Sequence, residues 1–549
     1  MKTGARWAMA AMLAGLLLAG CGGGGSSGNG SNADTASGTA TALPAEDGDW
    51  TAPIAVSPEF GVQIGWAVLA ENIPANALPV HAVDAVYLRA MNLDAAGRAL
   101  VTYGTYPVEW PGMDFHYHAH FTTAFGAWRA GADAGWTTLD APGFHVYPDW
   151  LTRTFMSIAP DGQPVGASSG PVDRQCAYSY NNFDDSCVRQ VDAHALIAPA
   201  GAWSPLLATG INLVAAAPVL RADGSGAVVW TDDEGDPRTS LLRIATRPRT
   251  DAPWAVAPQT VPLVAPEVGF VGVADLLAAD CGDHRLIAVA RAGGPSALPE
   301  PTPRFWARIW DPRTGRWGDR LALPDNGTVV APTLRVDARG KAHIAWIDSG
   351  SSTRHAVVNC DGAVVESDET IAWPGVSIYR GLVFALTPND GMAMSVESVD
   401  IAEGGVFVNA RRSLRWRDAR GTWSAPVTVP ASGRPTDLAF DRDGNAGAVW
   451  SDDAGDISAL AWVDQPYAPS GVFILRYRRA AACWDLPLRL SAAPGSEGAV
   501  TRNLSPLIAV APGGKLAVSW LRARRETDAT APRQDHAWAI VDVRWTETR

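Results

Sequence analysis

Three histidines, His116, His118 and His120, occupy alternate positions of the segment DFHYHAHF. On an extended chain, alternate side chains share a face, so the three form an open imidazole set of the kind that zinc or copper accepts. Residues two apart on a strand lie about 6–7 Å from each other. One ion would therefore take two of them and a carboxylate from another loop. No metal or other cofactor is assigned.

The second chemistry-bearing set is acidic. Asp232 and Asp233 follow Trp230, Asp348 follows Trp346, and Asp452 and Asp453 follow Trp450. If their loops open on one face, the five carboxylates line a surface suited to cationic ligands or sugar hydroxyls; if not, they are solvated turn residues. Asp223-Gly224, the run Asp441 to Asn445, and Asn389-Asp390-Gly391 could be read as calcium loops. Calcium needs about 6–8 oxygens, and here apolar strands follow at once. Asp-Gly and Asn-Gly are the favoured hairpin residues, so turns are expected. No paired carboxylates, phosphate loop or Ser-His-Asp pattern stands out, and no catalytic residue is assigned.

The elements that hold these residues begin after an N-terminal address. Lys2 and Arg6 precede an apolar run, Ala8 to Gly20, too short for a bilayer span of about 20 residues. It reads as a secretory signal over 1–20. Leu18-Ala19-Gly20-Cys21 resembles the bacterial lipobox, which implies that Cys21 carries lipid. Gly22 rather than Asp follows it, which implies the outer membrane or cell surface. Residues 21–48 are Gly- and Ser-rich, a tether with a reach of roughly 30 Å. The membrane partner is then reached through lipid, not by spanning.

Residues 49–549 read as one β domain. The 549-residue chain holds 23 Trp, 54 Gly and 40 Pro, a composition that favours short strands and turns. Its net charge of -13 repels phosphate backbones, so nucleic acid is not an expected partner. Four segments align: APVLRADGSGAVVW (217–230), APTLRVDARGKAHIAW (331–346), RPTDLAFDRDGNAGAVW (434–450) and LSPLIAVAPGGKLAVSW (504–520). Four weaker copies fit the frame, with turns near Gly97, Gly162, Asp283 and Gly391. Each unit adds a middle strand and a Trp-led strand such as GTWSAPVTVP (421–430).

About four short strands per 51–70 residues, with strands apolar on both faces, predict an all-β chain. They predict a β-propeller of about eight four-stranded blades, or seven if one weak copy is an insertion. The last unit lacks a Trp-led strand, and DWTAPIAV (49–56) matches TWSAPVTV (422–429). The N-terminal strand is therefore expected to complete the last blade, burying Trp50, Ile54 and Val56. The alternative is a loose arm with GVQIGWAV (61–68) forming a strand elsewhere.

The repeats resemble the sialidase-like, Asp-box class of bacterial propellers over nearly all of 49–549. The Ser-x-Asp-x-Gly-x-Thr-Trp box itself is not present. ADGSGAVVW and DRDGNAGAVW share only its Asp-Gly turn and later Trp. A sialidase would need an arginine cluster for the substrate carboxylate and a Tyr nucleophile with a Glu partner, and only Tyr379-Arg380-Gly381 suggests itself. The favoured function is a monomeric binding or scaffold module whose partner is a glycan or an envelope protein. The alternative is a glycan-active hydrolase.

Five cysteines remain beside Cys21. Cys176 and Cys187 flank a polar insertion and are expected to pair in an oxidising envelope, worth roughly 3 kcal/mol. Cys281 and Cys360 lie in turns that open on the same face of neighbouring units, so a second bridge is open to them. Cys483 would then be free, buried beside Trp484.

Overall fold

The computed structural model describes residues 50–64, 82–107, 123–140, 153–158, 164–171, 190–196, 208–211, 216–221, 225–232, 241–249, 252–262, 272–293, 305–324, 329–349, 352–362, 364–373, 377–387, 391–401, 407–431, 437–452, 470–492, 500–511, 513–525 and 537–549. Most of these residues are in β strands, and one 3-10 turn spans Arg479–Ala481. Among the described residues no helix is long and apolar enough to cross a membrane. The signal segment, Cys21, the tether, His116, His118, His120, Cys176 and Cys187 lie outside the described residues.

The repeat has a local cause in its turns. Asp94, Asp337 and Asp441 each open the first hairpin of a unit. The Oδ1 of each accepts the N–H groups two and four residues further on, at 2.8–2.9 Å. The residue three further on is Gly97, Gly340 or Gly444, with φ of 74°, 76° and 81°. That left-handed conformation suits glycine because it has no Cβ. The 441–445 segment is thus a hairpin turn, and among the described residues no cluster of three or more ligands could hold a metal. The expected turn near Asp283 is made by Asp283 and His284, both at positive φ. The second strands carry the predicted tryptophans. Trp230, Trp346, Trp450 and Trp520 are all fully buried, each contributing about 150–250 Å² to the contacts between sheets.

Strands follow one another as antiparallel meanders in eight groups: 82–140, 153–211, 216–262, 272–322, 330–372, 377–428, 437–489, and 500–547 with the N-terminal strands. Six are separate sheets. The first and eighth groups are joined through a parallel pairing, Gly61 with Ala82 and Val62 with Val83, into one nine-stranded sheet. In groups three, four and seven the Trp-led strand is broken into two short pieces, both paired with the third strand. The first strand of each group packs against the first strand of the next, and Val500–Val510 packs against Ala82–Leu93. Apolar clusters fill the spaces between sheets. One joins groups three and four, one four and five, one five and six, one six and seven, one seven and eight, and one eight and one.

The N-terminal segment pairs with the last strand, Ala537–Glu547. Trp50 bridges Thr548, and Ile54 and Ala55 pair with Trp545 and Arg544. The match to 422–429 holds in register, because Trp423 bridges Arg417 while Val427 pairs with Leu414. Trp50 joins the cluster between groups seven and eight, and Val56 and Phe60 join the one between eight and one. Ile54 departs from expectation and is 45% exposed. It sits on the outermost strand, where the matching face meets solvent; Val256 on another outermost strand is exposed in the same way. Phe60–Ile64 forms a strand along the other half of the same last strand, from Val541 to Ala537. It therefore extends the N-terminal pairing and does not form a strand elsewhere.

Cys281 and Cys360 are joined, linking the first turn of group four to the third turn of group five. Closing a loop of 79 residues contributes roughly 4 kcal/mol in the chain-entropy account. Arg285 pairs with Asp361 beside it. Gly340 lies so close to the Cys281 carbonyl that a Cβ there would overlap it. Cys483 is buried against Trp484 as expected, but it is not free: it is disulfide-bonded. The spacing of cysteines along the chain does not reveal which strands pass beside a turn.

Candidate ligand cavity between groups seven and eight

A cavity of about 330 Å³ opens between group seven, group eight and the N-terminal segment. Ser470, Arg489 and Ser491 line it from group seven, and Thr501, Asn503, Arg522 and Arg544 from group eight, with Pro53, Leu490 and Trp520 as apolar walls. Arg489 lies in an outermost strand, so the cavity sits between two sheets on their outer side.

Its floor is a clamp. The Asn503 N–H donates to Ser470 Oγ at 2.7 Å, and Asn503 Nδ2 donates to the Ser470 carbonyl at 2.7 Å. Trp520 Nε1 donates to Asn503 Oδ1 at 2.8 Å. A buried amide satisfied in this way fixes the spacing of the two sheets. Ser491 Oγ accepts the Val472 N–H at 3.0 Å, which leaves its hydroxyl hydrogen to donate. Below the clamp, Ile508 N–H donates to Asp437 Oδ2 at 2.9 Å, and burial pushes that carboxyl up.

The cations come from three strands. Arg489 stacks over Phe473 at 5.6 Å and rests on Gly471, where any Cβ would meet its guanidinium. Among the described residues its buried Nε has no hydrogen-bond partner and no carboxylate pairs with it. Arg522 and Arg544 share one carboxylate. Arg522 donates from Nε and Nη2 to Asp542 at 2.9 and 2.6 Å. Arg544 Nε donates to Asp542 Oδ1 at 3.2 Å, and its Nη2 lies 3.2 Å from Oδ2. Asp542 is almost wholly buried. Burial lifts its carboxyl to about 6, against the pull of Arg522. Three guanidiniums thus line the cavity, two of them sharing one carboxylate, and the cavity is cationic in a chain that is acidic overall. Among the described residues no Asp, Glu, His, Tyr or Cys lines it.

Of the acidic residues singled out in the sequence, the side chains of Asp348 and Asp452 are described. Asp348 is buried at the end of Lys341–Ser349, 3.9 Å from Arg354, which also binds Asp368. Asp452 Oδ1 accepts the Gly471 N–H at 2.5 Å and so ties down the backbone beneath Arg489. Asp232 ends the strand Gly226–Asp232, with its side chain outside the described residues, as are Asp233 and Asp453. The signal for the cavity lay in strands. WLRAR (520–524) and DVRW (542–545) carry charges at alternate positions within strands otherwise apolar. Their pairing, Arg522 with Asp542, puts those charges on one face.

No protein-family model matches the chain, and no curated protein matches it. Similar solved structures include the polysaccharide lyase Uly1, at 11% identity and a TM-score of 0.39, covering 89% of this chain and 99% of that one. The Dos1 propeller is similar at 7% identity and a TM-score of 0.41, covering 84% and 94%. The BP39L lectin from Burkholderia pseudomallei is similar at 10% identity and a TM-score of 0.38, covering 71% and 95%. Likeness at this level carries no argument about what this chain binds.

Proposed function

We propose that the chain is a binding module tethered by lipid on Cys21, displayed at the outer membrane or cell surface. Its body is an eight-bladed β-propeller ring closed by its own N-terminal segment. Two features support the ring: the first strands pack in series and return to their start, and residues 50–56 pair with the last strand.

The observation that carries the binding function is the cavity between groups seven and eight. Among the described residues it offers the Arg489 guanidinium, which no carboxylate pairs, together with hydroxyl groups and apolar walls. Among the described residues the lining holds no carboxyl group and no tyrosine, whereas a glycoside hydrolase uses paired carboxyl groups or, in sialidases, a Tyr nucleophile with a Glu partner. The ligand is an acidic sugar. Its carboxylate meets planar guanidinium donors, its hydroxyls meet Ser491 and Thr501, and its C–H face lies on Leu490 and Pro53.

The test is calorimetric titration of the full chain in detergent with D-galacturonate and with D-galactose, alongside a screen of fluorogenic glycosides. Galacturonate is expected to bind, galactose to bind far more weakly, and no glycoside to turn over. Arg489→Gln should weaken galacturonate about 10- to 100-fold, the value of a charged hydrogen bond, without lowering the melting temperature. Turnover abolished by a single Tyr or Glu substitution would establish the hydrolase alternative instead.

A further inference from the structure

Asp542 and an anionic ligand compete for the same two guanidiniums. Its carboxylate holds Arg522 through Nε and Nη2 and lies against the same two nitrogens of Arg544. Both arginines line the cavity, whereas Asp542 lies behind them. We propose that the cavity captures its anion together with one proton, which Asp542 takes up, so that affinity rises as the medium acidifies. This rests on the anion-binding role assigned to the cavity above and adds its regulation.

Among the described residues, charged groups reach Asp542 from three elements. From the neighbouring strand it faces Arg522 and Arg524, from its own strand Arg544, and from the N-terminal segment Glu59, which pairs with Arg524. With no ligand, the two arginines steady the carboxylate while burial opposes its charge, and the group sits at about 6. An incoming carboxylate changes the surroundings of Asp542 in two ways. It draws the guanidiniums toward the cavity and adds a like charge close to Asp542. Each effect disfavours ionised Asp542, so the anion and the proton bind cooperatively, and the coupling is reciprocal. Protonation leaves Asp542 able to accept one hydrogen bond through its carbonyl oxygen and to donate another. The arginines therefore keep a positioning partner while gaining a full charge for the ligand.

The linkage fixes the pH window. Above about pH 6 the unliganded Asp542 is ionised. There, binding must bring in a proton, and affinity for galacturonate should rise about tenfold for each unit of acidification. Below about pH 6 the proton is already in place, so affinity should level off. Galacturonate itself stays ionised through this range, because a carboxyl group of its kind titrates near 3–4.

The experiment is calorimetric titration of the full chain in detergent with D-galacturonate from pH 5 to pH 7.5, repeated in two buffers of different ionisation enthalpy. We expect about tenfold weakening per unit above pH 6 and a net uptake approaching one proton at pH 7.5. Asp542→Asn mimics the neutral group; it should bind at pH 7.5 as the wild type does at pH 5, with no proton uptake. The buffer comparison needs only the wild type, so it decides the matter even if Asp542→Asn does not fold. Binding that is pH-independent without proton uptake would overturn the coupling and leave the anion site standing. A pH dependence unchanged in folded Asp542→Asn would likewise overturn it. No binding of galacturonate at either pH would overturn both the site and its regulation.

Discussion

Deleting residues 49–56 is expected to make the protein aggregate or melt far below wild type. Trp50 fills the space between groups seven and eight among Val449, Val472, Leu490, Ile508 and Trp520. Val56 fills the space on the other side of group eight, near Val541, Val543 and Trp545. Each such side chain contributes about 1.5–3 kcal/mol by burial. The Thr51 and Val56 N–H groups also donate to the carbonyls of Glu547 and Val543, both at 2.9 Å. These bonds are worth about 0.5–1.5 kcal/mol each. Ile54, being exposed, adds little. The summed loss of about 5 kcal/mol reaches the lower end of a typical domain stability of about 5–15 kcal/mol. It also bares the edge of Ala537–Glu547, and bare edges invite intermolecular pairing. Deleting 23–45 should leave melting nearly unchanged. Equal melting of the two deletions would show that the N-terminal segment closes nothing.

Glu547→Gln is expected to cost about 3–5 kcal/mol, the usual price of leaving a buried charge unpaired. Arg129 in group one donates to Glu547 in group eight from Nη1 at 3.2 Å and Nη2 at 2.6 Å, across 418 positions of sequence. The guanidinium lies between the rings of Trp136 and Trp545, at 5.3 and 5.6 Å. Lys515 and the Trp545 N–H also reach Glu547. Burial pushes the Glu547 carboxyl up, but hydrogen bonds from Arg129 and Lys515 outweigh it and hold the group below the usual range. The sign follows. A depressed carboxyl stabilises the fold above its unfolded value of 4.5 and loses that contribution as pH falls through the lower folded value. Denaturation measured from pH 7 to pH 3 should therefore show an acid loss in wild type that is smaller in Glu547→Gln. The double variant Arg129→Met/Glu547→Leu should recover most of the stability, since apolar replacement of a buried pair is often neutral. Wild-type stability in the single variant would remove this contact from the account of how groups one and eight are held.

Much of the architecture is legible in the sequence because its causes are local. An Asp that caps two backbone N–H groups and a Gly three residues later make a hairpin wherever they occur, so Asp94 to Gly97 and Asp441 to Gly444 can be aligned by eye. The Trp after the second strand marks a buried face in the same way. Even the link between the chain ends is visible, because DWTAPIAV repeats the register of TWSAPVTV. The cavity is not visible in this way. Arg489, Arg522 and Arg544 are far apart or separated by a hairpin, and only the packing of group seven on group eight makes them neighbours. The acidic loops drew attention because charge clusters in sequence are conspicuous. Yet Asp348 turns inward toward Arg354, and Asp452 is engaged by the Gly471 backbone. Three charges on three strands are quieter in sequence than three in a row.

The central claim is that the ligand sits in the arginine-lined space between groups seven and eight. Hydrogen exchange of the full chain, with and without saturating D-galacturonate at pH 5, tests it directly. The expected result is slowed exchange at 470–472, 489–492 and 501–503, where the backbone borders the cavity, with loops elsewhere unaffected. Protection confined to the loops after Trp230, Trp346 and Trp450, with none around Arg489 and Asn503, would contradict it and move the binding face to the acidic loops.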